Sequence, residues 1–575
     1  MSFPLGGVAI GAGPLGAGAV AVAPGGPGTS AVAGALLASD DEAPHATSAT
    51  LEIAAKHADR PRNAPMSDAE FDPGKPGAQP LVAVRSARTH LRRSRGAPLS
   101  GYERGVTRER AGQVVDVALR VLAGGLMVSL CVACWHDTSK AWDVWYYHLP
   151  FAARIVGLAD ASGTSFTFGA LNEARFDGFP LFGELAQGVL WRITGKPECA
   201  SFASLAALPA LAWLLARLFK VPLHLTILAL LAIPLVQIHA TAAYVDLPAN
   251  AEVAMLALLA YRQVVAREAP SVRALLLGSA LAVAAANTKF QLVPVVLAAA
   301  AVLVMTSLRR DTRRRARLVV IALALPFVFA TPIKNTIRHG NPVWPVELHV
   351  LGKTLPHNEG AYASSPDWLE NVPRPLRWGA SVLELGLHPI ASHERWSIDQ
   401  WTPPSEPGYR MGGFFGAYAI VNVLALAWAA FVRRTRETKV AAMFGAGASI
   451  VASMMPQSHE LRYYLFWMLL LVALNLIVWS RERRLTTSVV AIAALAVVTW
   501  STGGTYLYAS GDSFATLVHD KVDRAALDRI APGERVCIVR QPWTFLYAPR
   551  FHPEKRYSVQ EAADVAECGD ARLLE

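Results

Sequence analysis

The feature that most constrains this fold is a series of long apolar runs separated by short basic loops. Eleven runs approach the roughly 20 mostly apolar residues that a membrane-spanning helix needs. A backbone inside a bilayer must satisfy its own hydrogen bonds, so runs of this length fold as helices. Because 53% of the residues are hydrophobic and only 17% are charged, against about 25% charged in soluble domains, the sequence predicts an all-α polytopic membrane protein. The predicted spans are 114–134, 199–219, 223–241, 245–261, 272–287, 290–308, 317–333, 412–432, 439–456, 461–480 and 486–502.

Short basic loops between the runs predict the orientation of the chain. With a cytoplasmic N-terminus, eleven spans place every strongly basic short loop on the cytoplasmic side, as the positive-inside rule requires. These loops account for much of the net charge of +10. We therefore attribute the positive charge to the orientation of the chain in a lipid bilayer, which is an expected partner, and we expect no nucleic acid as a partner. Counting the shorter stretch 180–195 as a span would reverse the pattern, and we predict it to be a juxtamembrane or re-entrant helix. The basic loops are 217–220, 262–273, 309–317, 433–439 and 481–484.

This topology predicts three regions. Residues 1–110 are rich in Gly, Pro and Arg and are predicted to be a disordered low-complexity segment, with a mis-assigned start codon left open. Residues 111–502 form the transmembrane domain, with long outer loops at 135–198 and 334–411. Residues 503–575 contain short strand-like runs and are predicted to form a small α/β domain on the outer side.

Five cysteines are too few for a disulfide framework. Cys131 and Cys134 lie inside an apolar helix, where we expect small packing residues rather than a redox pair. Cys537 and Cys568 both lie in the outer tail, and in an oxidising compartment they could pair. The sequence leaves that pairing open.

Polar residues gather at the outer ends of the predicted helices. Ionisable groups at membrane depth are costly, which makes them functional candidates. Trp, Tyr, Arg and Lys at an interface can also serve only as anchors, but the whole set on one face favours a function. The stretches are WDVWYYHLP at 142–150, AAYVDLPAN at 242–250, NTKFQ at 287–291, IKNTIRHGNPVWP at 333–345 and SHELRYY at 458–464.

This set of side chains suits a phosphate-bearing lipid and a sugar. An aspartate is ordinarily ionised at neutral pH, so Asp143 could accept a proton from an acceptor hydroxyl. On an α-helix, His148 would lie about 140° round the axis from Asp143, which favours a ligand-positioning role or a purely interfacial one. Aromatic rings would offer flat surfaces to sugars or isoprene units. The cations that could hold the phosphate are Lys289, Lys334, Arg338 and Arg462.

In their order along 114–502, these pieces resemble the polytopic GT-C glycosyltransferases that use polyprenyl-phosphate-linked sugars. The branch resembled contains bacterial protein O-mannosyltransferases, lipid A aminoarabinose transferases and rhizobial Rgt-type enzymes. The resemblance implies a GT-C-like fold in the bacterial inner membrane, with a periplasmic active site. It implies inverting transfer of a sugar from a polyprenyl-phosphate donor to a lipid, glycan or protein acceptor of the envelope. The matching pieces are Asp143 with Tyr147-His148-Leu149-Pro150, Tyr244-Val245-Asp246-Leu247-Pro248, Thr288-Lys289, Lys334-Asn335, Gly340-Asn341-Pro342-Val343-Trp344-Pro345 and Arg462-Tyr463-Tyr464.

The resemblance also implies roles for single residues. Asp143 corresponds to the catalytic base. Many members have paired acids in the first loop, whereas Val144 and Trp145 follow Asp143 here, so a second acid and a divalent cation are left open. The candidates for the second acid are Asp137, Asp160, Glu173, Asp177 and Glu184. The predicted substrate-binding residues are Tyr147, His148, Tyr244, Asp246, Lys289, Lys334, Asn335, Arg338, Asn341, His459 and Arg462.

Two other classes of protein fit the same pattern of spans. A transporter or flippase of a lipid-linked substrate would show internal repeats, broken helices and polar groups near the bilayer midplane. No half-to-half repeat is visible in hydropathy, and the polar groups fall at outer helix ends, which favours an enzyme. A non-catalytic membrane scaffold with the outer tail as a binding module is the third alternative.

Overall fold

A computed structural model describes residues 100–574, apart from 161–163, 310–311, 362–364, 394, 397–410, 481 and 483. Residues 1–99 of the predicted low-complexity segment lie outside the described residues. Its last residues, 100–110, instead begin the first helix. No proline follows Pro98 in this stretch, so nothing strongly helix-breaking separates it from the apolar run.

Helices dominate the described part of the chain, in agreement with the predicted all-α class. The helices of the membrane domain and its outer loops are α1 (Ser100–His136), α2 (Leu149–Ile155), α3 (Ala170–Gly178), α4 (Phe182–Thr194), α5 (Phe202–Leu205), α6 (Ala207–Phe219), α7 (Leu223–Leu231), α8 (Pro234–Ala240), α9 (Asp246–Ala266), α10 (Val272–Ala286), α11 (Val293–Ser307), α12 (Arg314–Val328), α13 (Ala330–His339), α14 (Arg374–Val382), α15 (Gly416–Val432), α16 (Arg436–Met454), α17 (Leu465–Trp479) and α18 (Arg484–Ser501). The C-terminal region adds α19 (Phe514–Lys521) and α20 (Arg524–Asp528).

Several of these helices can cross a membrane. Among the described residues, three are long and apolar enough by themselves, and the number rises to five if each of two bent helix pairs is one span. Shorter apolar helices occupy four further predicted spans. The three long spans are Gly112–His136, Pro197–Phe219 and Phe290–Ser307, and the shorter apolar helices are Val272–Ala286, Gly416–Val432, Phe466–Trp479 and Leu485–Ser501. The chain is thus a helical membrane protein.

Two predicted spans are bent rather than straight. The run 223–241 folds as α7 and α8, which meet at 99°. Pro234 begins α8, and the residue before a proline is driven out of the helical region, as the extended backbone of Ile233 shows. The run 317–333 is divided between α12 and α13 with a bend of 46°, because Pro332 cannot donate a hydrogen bond to the carbonyl group four residues earlier.

The core of the membrane domain is built around α9 and α17. Almost every residue of α17 is buried, and α9 is buried along most of its length. A helix that is apolar on all sides belongs inside a bundle. Asn250 joins the two helices, since its side-chain amide donates to the carbonyl oxygen of Arg462 at 3.2 Å and its oxygen accepts from the Phe466 backbone at 2.9 Å. This fixes the start of α17 against the start of α9.

The C-terminal region shares a parallel sheet with the first outer loop. The sheet has the order β1-β5-β4-β6, and β1 (Phe166–Thr167) comes from the outer loop. Cys537 and Cys568 form a disulfide within this region, with their Cα atoms 5.5 Å apart. The other strands of the sheet are β4 (Glu534–Val539), β5 (Tyr557–Ala562) and β6 (Arg572–Leu573), and the second outer loop carries the hairpin β2 (His349–Val350) and β3 (Lys353–Thr354).

Candidate active site

The first outer loop opens with a π-helical turn. Asp143 precedes this turn, which covers Val144–His148, and the Leu149 amide donates to the carbonyl oxygen of Val144. Residues five apart are hydrogen-bonded in a π-helix, so His148 lies about one turn beyond Asp143. The expectation that His148 would lie 140° round an α-helix is therefore wrong. Single π-turns are uncommon and often occur at functional sites.

Arg462 connects this turn to the segment before α17. Its Nη1 donates to Asp143 Oδ2 at 3.0 Å, and its Nε lies 3.5 Å from Glu460 Oε2. Its Nη2 donates to the Tyr463 hydroxyl at 3.2 Å. The Arg462 side chain is 4% exposed and Asp143 is 15% exposed, so the arginine is fixed in the interior while part of the carboxylate stays accessible.

Lys289 brings a second cation to the same place. It follows α10 and forms a buried ion pair with Asp246, the first residue of α9. Its Nζ lies 4.2 Å from the centroid of the Tyr463 ring, and the Arg462 guanidinium carbon lies 5.0 Å from the same centroid. Lys289 and Arg462 therefore converge on one aromatic ring. Helix ends from three parts of the sequence supply this cluster, which matches the predicted gathering of polar groups.

Tyr244 closes the inner side of the cluster. The Arg462 guanidinium carbon lies 5.7 Å from its ring centroid, and His239 and His148 meet it edge-on at 4.9 and 5.7 Å. His148 Nδ1 lies 2.7 Å from Glu184 Oε1, and both side chains are buried. His148 is thus connected to Asp143 indirectly, because its ring packs on Tyr244 and the Tyr244 ring lies against Arg462, which binds Asp143. This arrangement is compatible with the ligand-positioning role predicted for His148.

Tyr147 packs against other rings of the first outer loop. Its ring centroid is 4.2 Å from that of His148 and 6.2 Å from that of Phe179. Burial raises the pKa of the Tyr147 hydroxyl well above its ordinary value, and the negative charge of Asp143 raises it further. Tyr147 is therefore a neutral hydrogen-bonding group at physiological pH.

Four predicted substrate-binding residues belong to a second cluster. Arg338 Nη1 donates to Asp177 Oδ1 at 2.6 Å, and Lys334 donates to the Asp177 carbonyl oxygen. Asn335 donates to the carbonyl oxygens of Gly178 and Trp344, at 2.8 and 3.2 Å, and so joins the two outer loops. Asn341 donates to the carbonyl oxygens of Val346 and Pro356, at 2.9 and 2.8 Å. Within the described residues, the structure does not bring these four side chains into contact with Asp143 or Arg462.

Asp177 is the centre of that second cluster. Burial alone would raise its pKa, but a hydrogen bond with His339 and the positive charges of Lys334 and Arg338 outweigh burial and lower the pKa. The ionised Asp177 carboxylate pairs with Arg338 and His339, while Lys334 donates to the backbone carbonyl oxygen of Asp177. His459, another predicted substrate-binding residue, is buried. Its carbonyl oxygen accepts from the Ser381 hydroxyl at 2.5 Å, and this contact holds α14 against the segment before α17.

The five candidate partner acids of the first loop have other neighbours. Asp137 accepts from the Ser510 and Gly511 backbone, and Asp160 accepts from the Phe166 backbone. The remaining three pair with basic groups: Glu173 with Arg154, Asp177 with Arg338 and His339, and Glu184 with His148. The acid that shares Arg462 with Asp143 is Glu460, which lies in the quoted stretch SHELRYY but was not among the candidates.

A divalent cation would need a different arrangement of ligands. Of the residues with described positions, no group of three or more His, Cys, Asp or Glu side chains could hold a metal ion together. Asp143 Oδ2 and Glu460 Oε2 instead both lie against the Arg462 guanidinium, at 3.0 and 3.5 Å. The described side chains around Asp143 therefore form no assembled metal site.

The C-terminal region reaches the same outer loop. Glu561 on β5 accepts from the Gly169 amide at 3.0 Å and from the Asn172 side chain at 2.9 Å. Arg540 places its guanidinium carbon 4.9 Å from the ring centroid of Tyr146, three residues after Asp143. The loop that carries Asp143 is therefore braced from both sides, by the membrane helices and by the C-terminal sheet.

The solved structures that are similar to this chain include two of one protein. The crystal structure of ArnT from Cupriavidus metallidurans in the apo state matches with 16% identity and a TM-score of 0.38, over 78% of this chain and 90% of that chain. The crystal structure of the same protein bound to undecaprenyl phosphate matches with 14% identity and a TM-score of 0.40, over the same shares. No family model and no curated protein matches the chain.

Proposed function

We propose that the chain is a glycosyltransferase of the bacterial inner membrane that transfers a sugar from a polyprenyl-phosphate donor to a lipid, glycan or protein acceptor on the periplasmic face. The observation that carries this proposal is the cluster of Asp143, Arg462 and Lys289 at the outer helix ends. It places a carboxylate that can take a proton beside two cations that can hold a phosphate. A reaction between a hydroxyl group and a sugar phosphate needs these two functions side by side.

Asp143 acts as the general base of the proposed reaction. The acceptor hydroxyl oxygen attacks the anomeric carbon of the donor sugar while Asp143 takes the hydroxyl proton. The bond between the anomeric carbon and the phosphate oxygen breaks, and its electron pair leaves with the polyprenyl phosphate. Attack from the side opposite the phosphate inverts the anomeric centre. Arg462 orients the carboxylate for this step, since it donates to one oxygen and leaves the other for the hydroxyl.

Lys289 and Arg462 stabilise the leaving phosphate. Negative charge grows on the phosphate as the bond breaks, and fixed cations in a water-poor site stabilise such charge strongly. An ammonium group has three N–H donors, so Lys289 can keep its contact with Asp246 and still bind a phosphate oxygen. Tyr463 lies under both cations and holds them near each other.

The second cluster has a supporting role in this proposal. Lys334, Arg338 and Asn335 join the two outer loops through Asp177 and Gly178. They shape the entrance to the site and do not bind the donor phosphate in the arrangement seen. A resident divalent cation is not part of the proposed step, so full activity is expected in the presence of a chelator such as EDTA.

The proposal is tested in a deletion strain. Mass analysis of envelope glycolipids and glycoproteins should show one missing sugar residue, which names the sugar and the acceptor together. The intact gene should restore that residue, and an Asp143→Asn variant present at the same membrane level should not. Glu173→Gln is the matched control, because its exposed ion pair with Arg154 lies in the same loop and contributes little.

The result that contradicts the proposal is restoration of the sugar by Asp143→Asn. A transporter would give a different result. It would move labelled polyprenyl-phosphate sugar across the membrane of reconstituted vesicles and would form no new glycosidic bond. The polar cluster lies at helix ends rather than at mid-span, which favours the enzyme.

A further inference from the structure

A cavity with a basic lining lies at the other end of α9, far from the candidate active site. This cavity of about 400 Å³ opens between the last turn of α9, the first turn of α10 and the start of α12. Helix α9 has 21 residues, so this cavity is about 30 Å from Asp246 along the helix axis. The orientation predicted from the basic loops places it at the cytoplasmic surface.

The lining of this cavity is basic. Among the residues with described positions, Arg262, Arg313 and Arg317 face it together with Glu268, so the described lining carries three basic side chains and one acidic side chain. Arg317 is buried and fixed, since its Nε donates to the Ser307 carbonyl oxygen at 3.1 Å and its Nη2 to that of Arg309 at 3.0 Å. The part of the chain that the structure describes gives the Arg262 side chain no ion pair or hydrogen bond.

The first turn of α10 adds to the positive potential. Ser271 caps this helix by accepting from the Ala274 amide at 3.2 Å, and Ser271 and Ala274 both line the cavity. The free N–H groups of a helix N-terminus carry partial positive charge and bind anions. The start of α10 therefore adds partial positive charge to the cavity that Arg262, Arg313 and Arg317 line.

Arginines at the other basic loops are bound to the protein itself, as Arg317 is. Arg433 donates to the Val478 carbonyl oxygen at 2.8 Å and pairs with Glu482. Arg436 donates to the Val264 carbonyl oxygen at 2.5 Å. Arg262 differs from these arginines, because the described residues give its side chain no such contact. Its charge is therefore not used to hold one part of the described chain to another.

We propose that this cavity binds a phosphate group, from the headgroup of an anionic phospholipid or from a soluble phosphate. Basic cavities between membrane helices at the cytoplasmic surface are suited to lipid headgroups, and an arginine can donate two parallel hydrogen bonds to one phosphate. Apolar side chains on α10 and α12 are exposed beside the cavity and would face acyl chains. These are Leu276, Leu277, Leu318 and Val319.

The test compares two double variants of the full-length protein in lipid nanodiscs. Arg262→Gln with Arg313→Gln removes two charges from the cavity. Arg267→Gln with Arg273→Gln removes two exposed charges from the same loop and helix, at positions that do not line the cavity. One arm uses nanodiscs of phosphatidylcholine with one fifth phosphatidylglycerol and counts bound phosphatidylglycerol by native mass spectrometry. The other arm titrates inorganic phosphate and follows the thermal midpoint.

The expected result is a loss of binding that is confined to the cavity variant. Two arginines near a membrane surface contribute roughly a tenfold to thirtyfold difference in affinity, and the control should stay within about twofold of the parent. A loss in the phosphatidylglycerol arm identifies a lipid headgroup, and a loss in the phosphate arm alone identifies a soluble ligand. Equal binding by all three proteins in both arms, or an equal loss in the control, overturns the proposal. Neither arm depends on catalytic activity, so the result is independent of the proposed function.

Discussion

Arg462 donates to Asp143 at 3.0 Å although 319 residues separate them in the sequence. The contact joins the first outer loop to the short segment before α17, which Asn250 in turn holds against α9. The position of the candidate base therefore depends on helices from both halves of the membrane domain. Loss of the arginine should affect the carboxylate and the neighbouring phosphate-binding position together.

Replacing Arg462 with glutamine should lower the turnover number about 100- to 1000-fold, because a fixed donor to the developing negative charge is lost. The measurement is the rate of sugar transfer by the purified protein at saturating donor. Arg535→Gln, on the exposed side of the C-terminal sheet, is the control and should keep the parent rate. If Arg462→Gln retains more than about a tenth of the rate, Arg462 does not stabilise the leaving phosphate.

Lys289 should contribute to binding of the donor as well as to stabilising the leaving phosphate. Lys289→Gln should weaken binding of the proposed polyprenyl-phosphate donor roughly tenfold, as expected when a charge-assisted contact is lost. It also leaves Asp246 as a buried charge without its partner, which destabilises the fold. The double variant Lys289→Gln with Asp246→Asn should recover the thermal midpoint and not the affinity. Recovery of both would mean that Lys289 serves only the fold.

The membrane architecture was largely predictable from sequence, because long apolar runs have one stable conformation in a bilayer. Helices occupy the eleven predicted runs, with the bends at 233 and 329 set by local prolines. The π-turn at Val144–His148 was not predictable, since no residue pattern distinguishes it from an α-helical turn. The error in the position of His148 follows from that difference.

The composition of the candidate site was predictable only in part. The predicted residues Asp143, Asp246, Lys289 and Arg462 do meet, because each begins or follows a helix on the same face. Lys334 and Arg338 have the same residue types and the same predicted face, yet they bind Asp177. Which cation goes to which acid depends on tertiary distances. The role of Glu460 beside Arg462 was missed for the same reason.

The contact between β5 and the first outer loop should depend on pH. Burial raises the pKa of Glu561, although hydrogen bonds from Gly169 and Asn172 and the charge of Arg540 oppose the shift. An acid with a raised folded-state pKa adds stability below its ordinary pKa of 4.5, and this stability is lost as the pH rises through the folded-state pKa. Protection of the Gly169 amide against hydrogen exchange should therefore fall as the pH rises from 4.5.

Glu561→Gln provides the matched comparison for this effect. It keeps an acceptor for the Gly169 amide but does not titrate, so its protection, corrected for intrinsic exchange, should be flat over the same range. A parent protein with the same flat profile would show that Glu561 does not control the contact. A slope that persists in the variant would point to another group, such as His552, whose pKa burial lowers.

The disulfide between Cys537 and Cys568 should stabilise the C-terminal sheet and report its location. The bond closes a loop of 31 residues, which corresponds to about 3–4 kcal/mol in the loop-entropy model. Replacing both cysteines with serine should speed hydrogen exchange in β4, while Cys131→Ser, at an exposed thiol outside this region, should not.

The same two cysteines report the location of the C-terminal region. When cells are alkylated before lysis, Cys537 and Cys568 should stay unmodified if this region lies in an oxidising compartment. Alkylation of both cysteines there would place the tail on the reducing side, and the predicted periplasmic orientation of the active site would have to be reversed with it.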